Sequence, residues 1–216
     1  MRLFSDHLRA LTGVVLAMGL ASVPAAGPAA SPAEMPVPAG DHDFRAADWG
    51  MSRAEVRRSE GPAPDLNDGP LLAFPVTVAG QPCRVVYLFQ ADRLCMGFYQ
   101  WSNTHDDLDL YFQDADALRD GLAARWQDPQ IEKWNWEDPM FAEDPALRSE
   151  ALGLGLVRYE LGWMTDRSIV ALRMNGGNLQ GDILVMYADR RCFPSGQEAF
   201  GAFFADRVGL PSPYYR

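Results

Sequence analysis

The sequence predicts an α+β domain, an antiparallel β-sheet packed with helices, and three observations carry that expectation. Apolar runs that alternate or continue over seven or more residues, as in 71–78, 84–90 and 156–163, have the length and period of strands. Turn-forming pairs and glycines, Ala91-Asp92 and Asn175-Gly176-Gly177-Asn178, separate consecutive runs in the manner of hairpins. Between them lie segments whose apolar residues recur at three- and four-residue steps, the period of a helix with one buried stripe.

The chain of 216 residues opens with Arg2 and Arg9 ahead of an apolar stretch over residues 10–21, followed by Val23 and Ala25 at the small-residue offset of a signal-peptidase cut. Residues 1–25 are therefore expected to be a cleaved signal peptide, and the mature chain to be periplasmic or secreted. The apolar stretch falls short of the roughly 20 residues that cross a bilayer, so no stable membrane insertion is expected after cleavage. Residues 26–42 are dominated by Pro, Ala and Gly; they offer too little apolar surface to offset their ordering entropy and are expected to form a disordered tether. Residues 43–216 remain as a single α+β domain.

Within it, Asp48-Trp49-Gly50-Met51-Ser52-Arg53-Ala54-Glu55-Val56 places Ser52 and Glu55 at the three-residue offset of a capping box, which predicts a helix over 52–60 stopped by Gly61 and Pro62. A strand is expected next over 71–78, and Pro75 within it lacks a ladder donor and so belongs at an edge or a bulge. Residues 84–90 and 93–101 make a hairpin across Ala91-Asp92. A helix over 105–126 carries Leu108, Tyr111, Ala115, Leu118, Leu122 and Trp126 on one stripe. Residues 128–144 read as irregular. Pro145 then opens a short helix to 152, strands are expected over 156–163, 168–174 and 182–188, and Ser195 with Glu198 caps a last helix carrying Phe200, Phe203 and Phe204. The order suggests two similar helix–three strands–helix halves, 43–127 and 144–210.

A formal net charge of −10 and a single lysine, Lys133, disfavour binding to a phosphate backbone, so no nucleic-acid partner is expected. Cys83, Cys95 and Cys192 are an odd set, which allows one intramolecular bridge in an oxidising compartment. A two-residue turn puts Cys83 and Cys95 on different faces of their hairpin. Cys192 is therefore the expected partner of one of them, and Cys83–Cys192 is the expected pair.

The run Trp49-Gly50-Met51-Ser52 with Glu55-Val56, the strand ending Val86-Tyr87-Leu88-Phe89, and Trp163-Met164-Thr165 with Ile169 and Leu172 resemble a loosely defined set of bacterial envelope proteins. Those proteins share a W-G-M-S-x-x-E-V start. More distantly, a capped helix feeding an antiparallel meander is similar to the outer-membrane assembly lipoproteins of the SmpA/OmlA type. The resemblance implies a fold and carries no catalytic residue with it.

His42 and His105 are the histidines of the mature chain, each beside aspartates that read as solvated or as complements to a helix dipole; no metal ligand set and no cofactor are expected. Gly153-Leu154-Gly155 lacks the third glycine of a dinucleotide loop. The segment 133–145 interleaves aromatic faces with carboxylates, a combination that stacks on a sugar ring while accepting bonds from its hydroxyls. Trp134, Trp136, Glu137, Asp138 and Phe141 are accordingly the candidate ligand-binding residues. The expected function is an exported, non-enzymatic binding or scaffolding protein of the cell envelope, its partner a protein, peptide or glycan. The alternative is a periplasmic hydrolase of polysaccharide or peptidoglycan using two of Glu137, Asp138, Glu143 and Asp144.

Overall fold

The alternating runs pair into one antiparallel sheet of eight strands, seen in a computed structural model that describes residues 36–61, 63–78, 81–101 and 105–193. The strands are β1 (Leu66–Asp68), β2 (Leu71–Val78), β3 (Gln81–Gln90), β4 (Arg93–Trp101), β5 (Ile131–Trp136), β6 (Val157–Met164), β7 (Ser168–Gly177) and β8 (Gln180–Asp189). Their spatial order is β1-β2-β3-β4-β8-β7-β6-β5, so two four-stranded meanders meet along β4 and β8. The helices are α1 (Arg53–Glu60), α2 (Asp109–Trp126), α3 (Pro139–Glu143) and α4 (Arg148–Leu154), the last preceded by a 3-10 turn at Pro145–Leu147.

Local chemistry explains most boundaries. Ser52 caps α1 by accepting from the Glu55 N–H while the Glu55 carboxylate accepts from the Ser52 N–H, the reciprocal pair its spacing predicts. Ala91 and Asp92 both take positive φ, the backbone of a type I′ turn whose twist matches the flanking strands. Pro75 lies within β2 without harm because β1 pairs only as far as Ala73, which leaves the Pro75 side of β2 open. α2 buries Tyr111, Phe112, Ala115, Leu118 and Leu122, close to the expected stripe, but starts at Asp109 rather than 105. There the Asp107 carboxylate accepts from the Asp109 N–H and the His105 N–H donates to the Tyr111 hydroxyl, so the preceding residues are held in a turn.

Three expectations change. The stretch 128–144 is ordered as β5 and α3, because Trp134 and Trp136 gain partners on β6 and α2 that only the tertiary fold supplies. The turn between β7 and β8 is Asn178-Leu179, not 175–178; Gly176 pairs with Gly181 in the strand, where a Cβ would stand 2.1 Å from the Leu152 carbonyl of α4. Part of the expected tether is packed: the Pro36 carbonyl accepts from the Tyr187 hydroxyl at 2.6 Å, and Pro36 and Pro38 are buried. The two meanders share strand order and direction, but α1 precedes β1 whereas α4 lies between β5 and β6. The expected cut site near residue 25 and the helix capped by Ser195 fall outside the described residues.

The two faces of the sheet are unlike. One carries Leu72, Phe74, Val85, Tyr87, Tyr99, Val157, Tyr159, Leu161, Trp163, Val170, Leu172, Val185 and Tyr187, and all four described helices set their buried residues against it. Phe44 sits at its centre, 5.2 Å from the Tyr87 and Tyr99 rings and 5.3 Å from the Tyr187 ring. Its ring occupies the space that a Cβ on Gly97 of β4 would need, 2.2 Å away. The other face carries a smaller apolar cluster: Ala73, Val86, Met96, Phe98, Ile169, Ala171, Leu184, Met186 and Ala188.

Gly97→Ala should lower stability by about 1–3 kcal/mol, because the added methyl displaces the Phe44 ring from a filled core. Phe44→Ala should cost about 3–5 kcal/mol. In a double-mutant cycle read by urea midpoints the Gly97→Ala penalty should shrink sharply once Phe44 is Ala; equal penalties in both backgrounds would show that the two sites are not coupled.

Candidate ligand-binding edge

β5 is an edge strand, and its six residues alternate faces. Ile131, Lys133 and Asn135 pair with Gly162, Glu160 and Arg158, while Glu132, Trp134 and Trp136 pair with Leu161, Tyr159 and Val157 on the helix-bearing side. The Glu137 N–H donates to the Leu156 carbonyl at 2.9 Å. By the antiparallel alternation, odd-numbered residues of β5 bond to β6, and the backbone N–H and C=O of Glu132, Trp134 and Trp136 face the open side.

Three side chains fix the aromatic platform there. The Trp134 ring lies on the Tyr159 ring with centroids 4.0 Å apart and planes 20° from parallel. Trp136 is near-parallel to it at 5.8 Å, and Phe112 of α2 at 6.1 Å. The Arg148 guanidinium of α4 stands 4.8 Å from the Phe112 centroid, a cation–π contact that ties α4 to the same stack. Trp134 remains 38% exposed although most of its neighbours are buried. Next to it the Tyr159 hydroxyl donates to Glu132 Oε1 at 2.8 Å; burial and that carboxylate both raise the phenol above its ordinary value, so it stays a donor. On the opposite face Asn135 Nδ2 donates to Glu160 Oε2 at 3.0 Å, holding β5 in register.

The other expected residues divide. Trp136 is half-buried and Glu137 exposed, both beside the platform. Asp138 is exposed, but its carboxylate caps α3 by accepting from the Met140 N–H at 2.9 Å. Phe141 is buried in the helix-side core and is not available to a ligand. Glu143 and Asp144 are also exposed, and Asp144 accepts from the Ala146 N–H. Two of the four carboxylates named for a hydrolase are thus helix caps, and none is enclosed with another. Sequence reasoning passes over Glu132, Tyr159, Phe112 and Arg148; the i, i+2 spacing of Trp134 and Trp136 is the available sign of a strand, but their partners lie on α2, α4 and β6.

A second polar group lies under α1. Arg45 Nε and Nη2 donate to the Glu60 carboxylate at 3.1 Å each, and the Tyr87 hydroxyl donates to the same carboxylate. The Glu60 side chain is 4% exposed, so this network closes the end of α1 over the sheet rather than opening to solvent. Cys83 borders it, and burial pushes its thiol up to about 12. The disulfide joins Cys95 to Cys192, with Cα atoms 5.9 Å apart, and Cys83 is free. The expected Cys83–Cys192 pair fails because Cys83 lies at the far end of β3, opposite Trp101. Cys95 instead sits where the β3–β4 register shifts, next to Met96, whose partner on β8 is Ala188, four residues before Cys192.

His105 Nε2 lies 2.7 Å from Asp114 Oδ2 with its ring edge-on to Tyr111, and His42 pairs with Asp48 at 3.3 Å on the surface. Among the described residues no group of three or more His, Cys, Asp or Glu side chains converges on one point, and no helix is long and apolar enough to cross a membrane. No family model, curated protein or solved structure matches the chain.

At pH 8 the native protein should react with a thiol reagent only as fast as it opens, because Cys83 is buried and protonated well past that pH. One equivalent should react promptly in denaturant without reductant. Rapid labelling of the native chain would contradict the assignment of Cys83 as the free thiol.

Glu60→Gln leaves Arg45 without its counter-charge inside the fold and should cost about 3 kcal/mol. Urea unfolding at neutral pH measures it, and an unchanged midpoint would show that the network does not hold α1.

Proposed function

We propose that the chain is an exported, non-enzymatic binding protein of the bacterial cell envelope that holds a glycan at the β5 edge. The observation that carries this reading is the Trp134 ring, part-exposed and braced from behind by Tyr159, Phe112 and Trp136. A rigid indole presents apolar area with little entropy left to lose, which suits the apolar face of a sugar ring. Glu137 and the Tyr159–Glu132 pair place hydroxyl-binding groups beside it. The Cys95–Cys192 bridge accords with an oxidising compartment, as does the leader-like segment at the N-terminus. The resemblance of the Trp49-Gly50-Met51-Ser52 start to envelope proteins points to the same location. A periplasmic hydrolase is less well supported, since Asp138 and Asp144 are committed to capping.

Soluble peptidoglycan fragments titrated into the mature protein should shift its tryptophan emission and protect it from iodide quenching. Trp134→Ala should weaken binding by about tenfold, the loss of one stacking contact, and should also lower the unfolding midpoint because the contacts with Tyr159 and Phe112 go with the indole, so binding is read well below that midpoint. An emission spectrum unmoved by any fragment, with Trp134 freely quenched throughout, would sink the glycan reading.

A further inference from the structure

The face of the sheet opposite the helices carries two continuous apolar rows. One runs Leu71, Leu88, Met96, Ala188, Ile169 and Met164 across adjacent strands from β2 to β6. The next runs Ala73, Val86, Phe98, Met186, Ala171 and Gly162. A third row, Arg84, Gln100, Leu184, Arg173 and Glu160, turns polar and bounds them on one side. Ala73, Ala171, Ala188 and Gly162 keep the rows low enough for a second layer to approach closely. Every described helix lies on the other face, yet Ala73, Ile169, Ala171, Met186 and Ala188 are fully buried.

We propose that this face is the docking surface of the chain's own C-terminal segment, residues 195–208, which completes a helix–sheet–helix sandwich. Two contacts deliver the segment to the right place. The Cys95–Cys192 bridge holds the chain against β4 immediately before the segment begins, and Phe193 already packs on the Met96–Met186 cluster. The segment itself has the matching chemistry. Ser195 and Glu198 form a capping box, and Phe200, Phe203, Phe204 and Val208 recur at three- and four-residue steps on one side, with Glu198 and Asp206 off it and Arg207 at the C-terminal end of the same side. Fourteen helical residues span about 21 Å, and the five strands from β2 to β7 in the sheet order span about 19 Å, so one such helix crosses the rows from Leu71 and Ala73 to Ile169 and Ala171. Three phenylalanines over alanines and a glycine give the large-on-small fit that close packing requires.

The inference stands apart from the glycan reading, since it concerns the opposite face and a different element. Its consequence for that reading is that the helix-free face is occupied by the chain itself, leaving the β5 edge as the surface open to a partner.

The test uses the full mature chain with Phe203→p-benzoylphenylalanine, a photoreactive phenylalanine that carries an added benzoyl group and favours methionine as its target. After irradiation, peptide mapping should show adducts within one chain to Met96, Met186 or their row neighbours. Adducts to helix-side residues such as Leu118 or Leu122, a covalent dimer on a denaturing gel, or the absence of any adduct would each overturn the proposal. Hydrogen exchange on the unsubstituted chain gives a reading that does not depend on the variant folding. The amides of residues 199–206 should exchange at least a hundredfold more slowly than an unstructured peptide of the same sequence; exchange at the unstructured rate would refute the docked helix.

Discussion

Phe44, seated over Gly97, packs across the junction of the two meanders. Two meanders meet along β4 and β8, and the Cys95–Cys192 bridge closes only one end of that seam, so packing must hold the rest. A single ring that touches Tyr87 and Tyr99 on one side and Tyr187 on the other removes apolar surface from both meanders at once. The absent Cβ at position 97 lets the ring descend to the backbone of β4. From there the chain has few choices: Gly50 and Met51 exchange bonds with Leu94, the Trp49 indole donates to Ser168 on β7, and Arg45 reaches Glu60 at the end of α1. Trp49-Gly50-Met51-Ser52 is thus a clamp across the seam, and the capping box beyond it sets only the direction in which α1 departs.

That seam also decides which strands are edges. Because β4 pairs with β8, the first and fifth strands become the two edges. β1 is three residues long and offers little open backbone, whereas β5 is six residues long and carries two indoles on its helix side. Native edges are commonly blunted by charge, and Glu132 and Lys133 do this in part. The braced platform beside them is what distinguishes β5 from a merely protected edge.

The buried polar groups are arranged to hold the fold closed. Glu60 satisfies Arg45 and Tyr87 together, and Asp43 accepts from both the Trp49 N–H and Arg167. Each network ties the segment before α1 to a different part of the sheet, one to β3 and one to the β6–β7 turn. Such sites cost desolvation and return it only when every partner is present, which makes them specific rather than strong.

The fold class, six of the eight strands, the capped start of α1 and the buried stripe of α2 are legible in the amino-acid order alone. These follow from short-range rules: the period of apolar residues, the offset between Ser52 and Glu55, and the turn at Ala91-Asp92 all act within one element. The sequence alone reads residues 128–144 as irregular because Trp134 and Trp136 are explained by Tyr159 and Phe112, which lie more than twenty residues away on either side. It paired Cys192 with the wrong cysteine for the same reason, since strand order places β8 beside β4 and the register brings Cys95, not Cys83, to the end of that pairing. The candidate site was legible as a set of aromatic and acidic residues, but which of them stack, which cap a helix and which enter the core was settled by tertiary structure. Which partners a side chain meets depends on surfaces that come together only after the chain has folded, and no local pattern encodes that.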